Sequence, residues 1–216
     1  MKTAVIISGG KIESDFALDF LEKCPCDFII GADRGILFCR EYGIRPTHIV
    51  GDFDSSGKEA LAWFQEQEDI PIRKFNPVKD FTDTDIALRQ ALELEAKCIY
   101  ILGGTGTRLD HVAANIRILS IALQNGAKAY LLDAHNRIWL TDKPVTLSKE
   151  AQFGTYVSLF AFGGTVRQLT LKGFFYPLTN YTMDGMDPLG VSNEMTESEC
   201  SISFSEGTLL VVESKD

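Results

Sequence analysis

The sequence lacks the features that mark several large functional classes. No stretch approaches the roughly 20 apolar residues that a membrane-spanning helix needs. The opening residues, MKTAVIISGGKIESDF, hold an apolar run too short for a signal peptide, and acidic residues soon follow it. A cytoplasmic protein with no membrane association is therefore expected. Cysteine is scarce and unpatterned. Cys24, Cys26, Cys39, Cys98 and Cys200 are odd in number, and Cys24-Pro25-Cys26 has neither the C-x-x-C spacing of a redox site nor a second pair to complete a zinc site. They read as free thiols in a reducing compartment. Positive charge is in deficit, with 21 Lys and Arg against 30 Asp and Glu and a net charge of −9. Such a surface repels a phosphate backbone, which argues against nucleic acid as a main partner but permits a local basic pocket for a nucleotide. Also missing are a G-x-x-x-x-G-K-[ST] loop, an H-R-D catalytic loop and a G-x-G-x-x-G motif opening the first helix. There is no internal repeat and no low-complexity linker.

What is present is an ordinary globular composition: 216 residues, 45% apolar and 24% charged, enough for one large domain or two small ones. Thr3 to Ile7, Asp27 to Ile30, His48 to Val50, Ile70 to Phe75, Cys98 to Leu102 and Ala129 to Leu132 read as strands. Asp15 to Lys23, Gly35 to Tyr42, Ser56 to Gln67 and Asp83 to Ala96 read as helices. A further helix carries Val112, Ile116, Leu119 and Leu123 on one face and stops at Gly126. This alternation predicts α/β architecture, a mainly parallel sheet with flanking helices. Beyond about residue 135 the pattern changes. Tyr156 to Phe162, Val166 to Leu171, Cys200 to Phe204 and Thr208 to Val212 are strand-like, with turns at Gly163-Gly164 and Glu206-Gly207. The expected division is an α/β domain over 1–135 and a C-terminal antiparallel β-sandwich over 136–216.

Ligands of open parallel sheets bind beyond the carboxyl ends of the strands. Gly51-Asp52-Phe53-Asp54-Ser55 follows the third strand, and Asp52 and Asp54, two apart in extended chain, project to one side. Lys79-Asp80-Phe81-Thr82-Asp83-Thr84-Asp85 leads into a helix, with Asp80 and Asp83 one turn apart. Helix capping is the ordinary role for Thr82, Thr84 and Asp85. Carboxylates gathered in one crevice repel by roughly 1 kcal/mol per pair in water and about 4 kcal/mol near a protein surface. Such a cluster calls for a cation, and all-oxygen ligands suit a hard one. Asp52, Asp54, Asp80 and Asp83 thus point to a Mg²⁺–nucleotide site.

Gly103-Gly104-Thr105-Gly106-Thr107-Arg108-Leu109-Asp110-His111 joins a strand directly to a helix. Its glycines and the helix start suit phosphate oxygens, and Arg108 suits bidentate phosphate binding. The same run is close to the nucleotide-binding loop of sugar nucleotidyltransferases, but there the loop follows the first strand, whereas here it follows a middle one. A nucleotidyltransferase-like enzyme ranks second, and a non-catalytic regulator that binds a nucleotide or another small ligand third.

Taken together the motifs resemble the thiamine pyrophosphokinase family over nearly the whole chain. Gly31-Ala32-Asp33-Arg34-Gly35 resembles that family's Ala-Asp-Gly-Gly segment, with Arg34 in place of a glycine. Pro46 through Gly51-Asp52-Phe53-Asp54-Ser55 matches its central aspartate motif and Lys79 through Asp85 its second acidic motif. Gly103 to His111 with Asn115 is similar to its Gly-Gly-Arg-x-Asp-His-x-x-x-Asn loop. The resemblance implies a homodimer in which ATP, as co-substrate, donates a pyrophosphoryl group to thiamine. It further implies that Asp33, Gly51, Lys79, Thr82, Gly103, Gly104, Thr105 and Arg108 contact the nucleotide. Asp83, Asp54 and Arg108 are then the catalytic set, with Asp83 as candidate base. Thiamine would fall to Asp110, Asn115, Tyr176, Ser192 and Asn193, with Tyr176 standing where some relatives place a Trp. Asp110 either binds thiamine or orients the loop.

Overall fold

The computed structural model describes residues 1–53, 58–66, 70–74 and 81–216. The chain is mixed α/β and divides into two compact units, Met1–Ala134 and His135–Asp216.

In the first unit six strands form a parallel sheet: β1 (Thr3–Ile7), β2 (Phe28–Ala32), β3 (His48–Gly51), β4 (Ile72–Lys74), β5 (Cys98–Leu102) and β6 (Lys128–Leu132), in the order β6-β5-β1-β2-β3-β4. Each parallel step needs a crossover. Among the described residues these are supplied by α1 (Ser14–Lys23), α2 (Gly35–Glu41), α3 (Lys58–Gln65), α4 (Asp83–Glu93) and α5 (Leu109–Gln124). Central β1 is bonded on both edges, and Ala4, Val5, Ile6 and Ile7 are wholly buried, as a strand covered on both faces must be. From β1 the chain winds outward through β2, β3 and β4, then returns across the sheet to β5 on the other side of β1. The order therefore reverses between β5 and β1, and a crevice at the carboxyl ends of those strands follows from topology alone. Helix α4 makes the return crossing, packing on β1, β2 and β3, and so carries its first turn to that crevice.

The expected face of α5 is shifted. Asn115, Ile118, Leu119 and Ala122 are buried, whereas Val112, Ile116 and Leu123 are only half-buried. The helix packs on both β6 and α4, so its apolar sector is too broad for periodicity to set its phase. Gly126, at φ +65°, ends it as expected.

In the second unit all bonded strands run antiparallel. One set, in the order β12-β9-β14-β7, comprises β7 (Asn136–Thr141), β9 (Tyr156–Ala161), β12 (Asn193–Glu194) and β14 (Leu209–Ser214). The other, in the order β11-β10-β13-β8, comprises β8 (Val145–Ser148), β10 (Val166–Lys172), β11 (Leu178–Met183) and β13 (Glu199–Ser203). Sequence patterning missed β7, β8, β11 and β12. Strand β11, LTNYTM, buries only Met183 and turns left-handed at Asn180, so it carries no clean alternation. Buried Glu213 is satisfied by Arg137, whose Nη2 lies 2.6 Å from Oε2, and by Trp139 Nε1 at 3.1 Å. Among the described residues no helix is long and apolar enough to cross a membrane.

Candidate active site

Three strand-end loops build the crevice: residues 8–13 after β1, 33–34 after β2 and 103–108 after β5. The first and third interlock backbone to backbone. The Gly10 N–H donates to the Gly103 carbonyl at 3.1 Å, and a Cβ on Gly10 would stand 2.3 Å from that oxygen. Gly103 adopts φ +70°, and its own Cβ would meet the Ser8 carbonyl at 2.6 Å. These glycines are thus required by close loop packing and turn geometry. That is a different reason from the approach of phosphate expected from the sequence. Asn115, buried at the end of the second turn of α5, donates from Nδ2 to the Gly104 carbonyl at 2.8 Å and fixes the loop from beneath.

The loops enclose a cavity of about 530 Å³. Its floor and one wall come from Ser8 to Lys11 and from Gly103, Gly104 and Gly106 to Arg108. Asp33 and Arg34 close a second side, Thr82 to Thr84 a third, and His111 and Asn115 complete the lining. Two carboxylates and three strong cations therefore share one hollow. Asp33 takes a left-handed conformation, φ +44°, which aspartate tolerates better than most residues and which concentrates at functional sites.

Asp83 is held from both sides. Thr82 caps α4, its Oγ1 accepting the Asp85 N–H at 3.2 Å. Thr84 does not cap. Its buried hydroxyl shares a 2.6 Å hydrogen bond with Ser8, pinning the first turn of α4 to the end of β1. Nor does Asp85 cap through its side chain. It is buried and accepts Arg89 Nε at 2.7 Å, while the Arg89 guanidinium lies 4.9 Å from the centroid of the Phe81 ring. With both neighbours locked, Asp83 reaches the cavity from a fixed backbone.

Several expected contacts lie elsewhere. Gly51 and Asp52 close β3 but do not line this cavity. Beside them Phe53 is buried at φ +53°, its ring 2.9 Å from where a Gly51 Cβ would stand. Thr105 faces away, its hydroxyl donating to Asp133 at 2.5 Å. Asp110 is outside the lining and paired with Arg108, Nη2 to Oδ2 at 2.6 Å. The bond from Arg108 holds the Asp110 carboxyl below its ordinary range and raises the guanidinium in turn. Asp54, Lys79 and Asp80 lie outside the described residues. Among the described residues no three His, Cys, Asp or Glu side chains form a metal cluster.

In the second unit, Tyr176 is 62% exposed beside an equally exposed Phe175. Asn193, 5% exposed, accepts the Tyr176 N–H at 2.9 Å and donates to the Tyr176 carbonyl at 2.8 Å. Expected as a ligand contact, its amide instead holds the Tyr176 backbone. Ser192 sits at φ +55°, with its N–H donated to Ser158 Oγ at 2.9 Å.

Two family models match in chain order: "Thiamin pyrophosphokinase, catalytic domain" over residues 22–131 and "Thiamin pyrophosphokinase, vitamin B1 binding domain" over residues 144–209. Thiamine pyrophosphokinase of Bacillus subtilis (strain 168) is 34% identical over 194 residues, 87% of each chain. The chain belongs to the thiamine pyrophosphokinase family. The crystal structure of thiamine pyrophosphokinase from Bacillus subtilis matches the whole of both chains with a TM-score of 0.88 at 31% identity. That of thiamin pyrophosphokinase from Candida albicans covers 99% of this chain and 89% of its own with a TM-score of 0.80, and at 18% identity it speaks for the fold alone.

Within this family member the sequence reading missed the first loop. Ser8, Gly9, Gly10 and Lys11 line the cavity, yet Gly9-Gly10 reads in sequence only as a strand end. A signal was present. Gly9-Gly10 closes β1 as Gly103-Gly104 closes β5, and those two strands flank the reversal of the sheet.

Proposed function

We propose that the protein transfers the pyrophosphoryl group of ATP to the hydroxyl of thiamine, giving thiamine diphosphate and AMP. The observation that carries this reading is the match to both family models, catalytic and vitamin-binding, on one chain. The thiamine hydroxyl oxygen forms a bond to the β-phosphorus. The bond from that phosphorus to the oxygen bridging the α-phosphate breaks, and AMP leaves. Catalysis of such a transfer is mostly alignment and charge neutralisation. Asp83, locked between a capping Thr82 and a pinned Thr84, accepts the hydroxyl proton. Arg108 and Lys79 neutralise charge on the transferred group or on AMP.

The donor set fits a hard cation. Asp33 and Asp83 bring two oxygen ligands to the cavity, and Mg²⁺ is typically held by one or two carboxylates plus substrate phosphates. In this reading Asp83, together with Asp54 and Asp80, would hold Mg²⁺, which when bound supplies neutralisation of the triphosphate charge, while Asp52, outside the cavity lining, is not one of its ligands. Tyr176 offers a flat face to the cationic thiamine ring, with Ser192 beside it. We read the two antiparallel sheets of the second unit as a sandwich, the assembly as a homodimer and the compartment as the cytoplasm.

The deciding experiment incubates purified protein with ATP, Mg²⁺ and thiamine and resolves the products. AMP together with thiamine diphosphate is expected. Release of pyrophosphate in place of AMP would assign a nucleotidyltransferase, and tight binding without turnover a regulator.

A further inference from the structure

We infer that Lys11 and Arg34 grip the polyphosphate of the nucleotide, a role that no motif assigns to either. The inference rests on the cavity being the nucleotide site, as the proposed function has it. The charge balance comes first. Acidic residues outnumber basic ones 30 to 21 over the chain, yet Lys11, Arg34 and Arg108 reach one cavity from three separate loops. Asp33 and Asp83 line the same hollow, so the cations there suit a polyphosphate and the carboxylates the hard cation that accompanies it.

The three cations are not equivalent. Arg108 already engages its fork with Asp110, 2.6 Å away, so using it on phosphate means exchanging one anionic oxygen partner for another. Among the described residues the side chains of Lys11 and Arg34 have no hydrogen-bond or ion-pair partner, and both are exposed to the hollow. Binding phosphate breaks nothing for them.

Their loops are also fixed. Lys11 directly follows Gly10, whose N–H is bonded to Gly103. The Arg34 Cβ lies 3.0 Å from the Cβ position of Gly9, so the loop after β2 rests on the loop after β1. Arg34 has φ −63° and ψ −15°, ordinary right-handed backbone, so this position has no conformational need for the glycine that the family motif carries. The arginine is free to serve as a ligand contact at no backbone cost, and its planar fork matches phosphate oxygens.

The test uses Lys11→Ala and Arg34→Ala in the full chain. Both side chains are exposed, so unchanged melting temperatures are expected and certify folding. Each variant should raise the KM for ATP by about tenfold or more, the loss of one charge-assisted contact, with the KM for thiamine unchanged. Calorimetry with inorganic pyrophosphate alone should show a matching loss of affinity. An unchanged KM for ATP together with unchanged pyrophosphate binding in both variants overturns the inference, and so does a rise confined to the KM for thiamine. The two readings separate cleanly. A wild-type protein that binds ATP and pyrophosphate through these residues but makes no thiamine diphosphate sinks the transferase reading alone. A wild-type protein that binds neither sinks the inference as well.

Discussion

The two units hold their candidate contacts in opposite ways. In the first, the loops after β1 and β5 are locked backbone against backbone around Gly10 and Gly103, and Asp83 inherits its place from fixed neighbours on either side. In the second, an exposed aromatic is held by one buried amide, the side chain of Asn193. A charged transfer gains from rigid positioning, because misplaced charges must reorganise as the reaction proceeds. A flat ring stacking on a heterocycle tolerates small displacements, so one anchor suffices. Loss of function at Asp83 should therefore be severe and fall on turnover, and loss at Tyr176 should be mild and fall on substrate affinity.

The largest effect is expected at Asp83. Asp83→Asn keeps the size of the side chain and the cap at Thr82, so the melting temperature should hold. Turnover with ATP, Mg²⁺ and thiamine should fall by about 10²- to 10⁴-fold, the range for losing a positioned general base. Near wild-type turnover would remove Asp83 from the chemistry and leave the first unit with no special claim to rigidity. Gly10→Ala comes next. Its new methyl would lie 2.3 Å from the Gly103 carbonyl, so the loops must part, at about 1–3 kcal/mol of stability. Chemical denaturation reads that loss directly, and turnover should drop with it. A fully stable, fully active variant would show that the interlock is incidental.

How much of this was legible in the sequence follows the same divide. The strand–helix alternation of the first unit was readable because its parallel strands are short apolar runs ending at glycine, as Thr3–Ile7 and Cys98–Leu102 do. Asp33, Thr82, Asp83, Gly103, Gly104, Arg108 and Asn115 stand out in the sequence by their motifs and come together at one cavity. Lys11 and Arg34 were not named as contacts, because strand order, which sequence patterning does not give, decides that the loops after β1, β2 and β5 meet. Thr105 shows the converse. It stands inside the glycine loop, yet its hydroxyl is taken by Asp133 at the end of the next strand. In the second unit half the strands went unread. Among them β11 is only partly buried and is broken by left-handed Asn180, so period-two alternation fails there.

Tyr176 and Asn193 give the smaller effects and the sharpest test of the contrast. Tyr176→Ala should raise the KM for thiamine by about 2- to 30-fold, the equivalent of roughly 0.5–2 kcal/mol of stacking, with the KM for ATP unchanged. Asn193→Ala leaves the ring in place but removes the acceptor for the Tyr176 and Glu194 N–H groups and the donor to the Tyr176 carbonyl. Stability should fall by about 1 kcal/mol, because part-buried backbone groups lose their partners. The KM for thiamine should rise by less than in Tyr176→Ala, since a loosened ring still visits its bound position. If Asn193→Ala shifts stability alone and leaves the KM for thiamine untouched, the aromatic does not depend on its anchor. The second unit would then be as firmly built as the first, and the two modes of support would reduce to one.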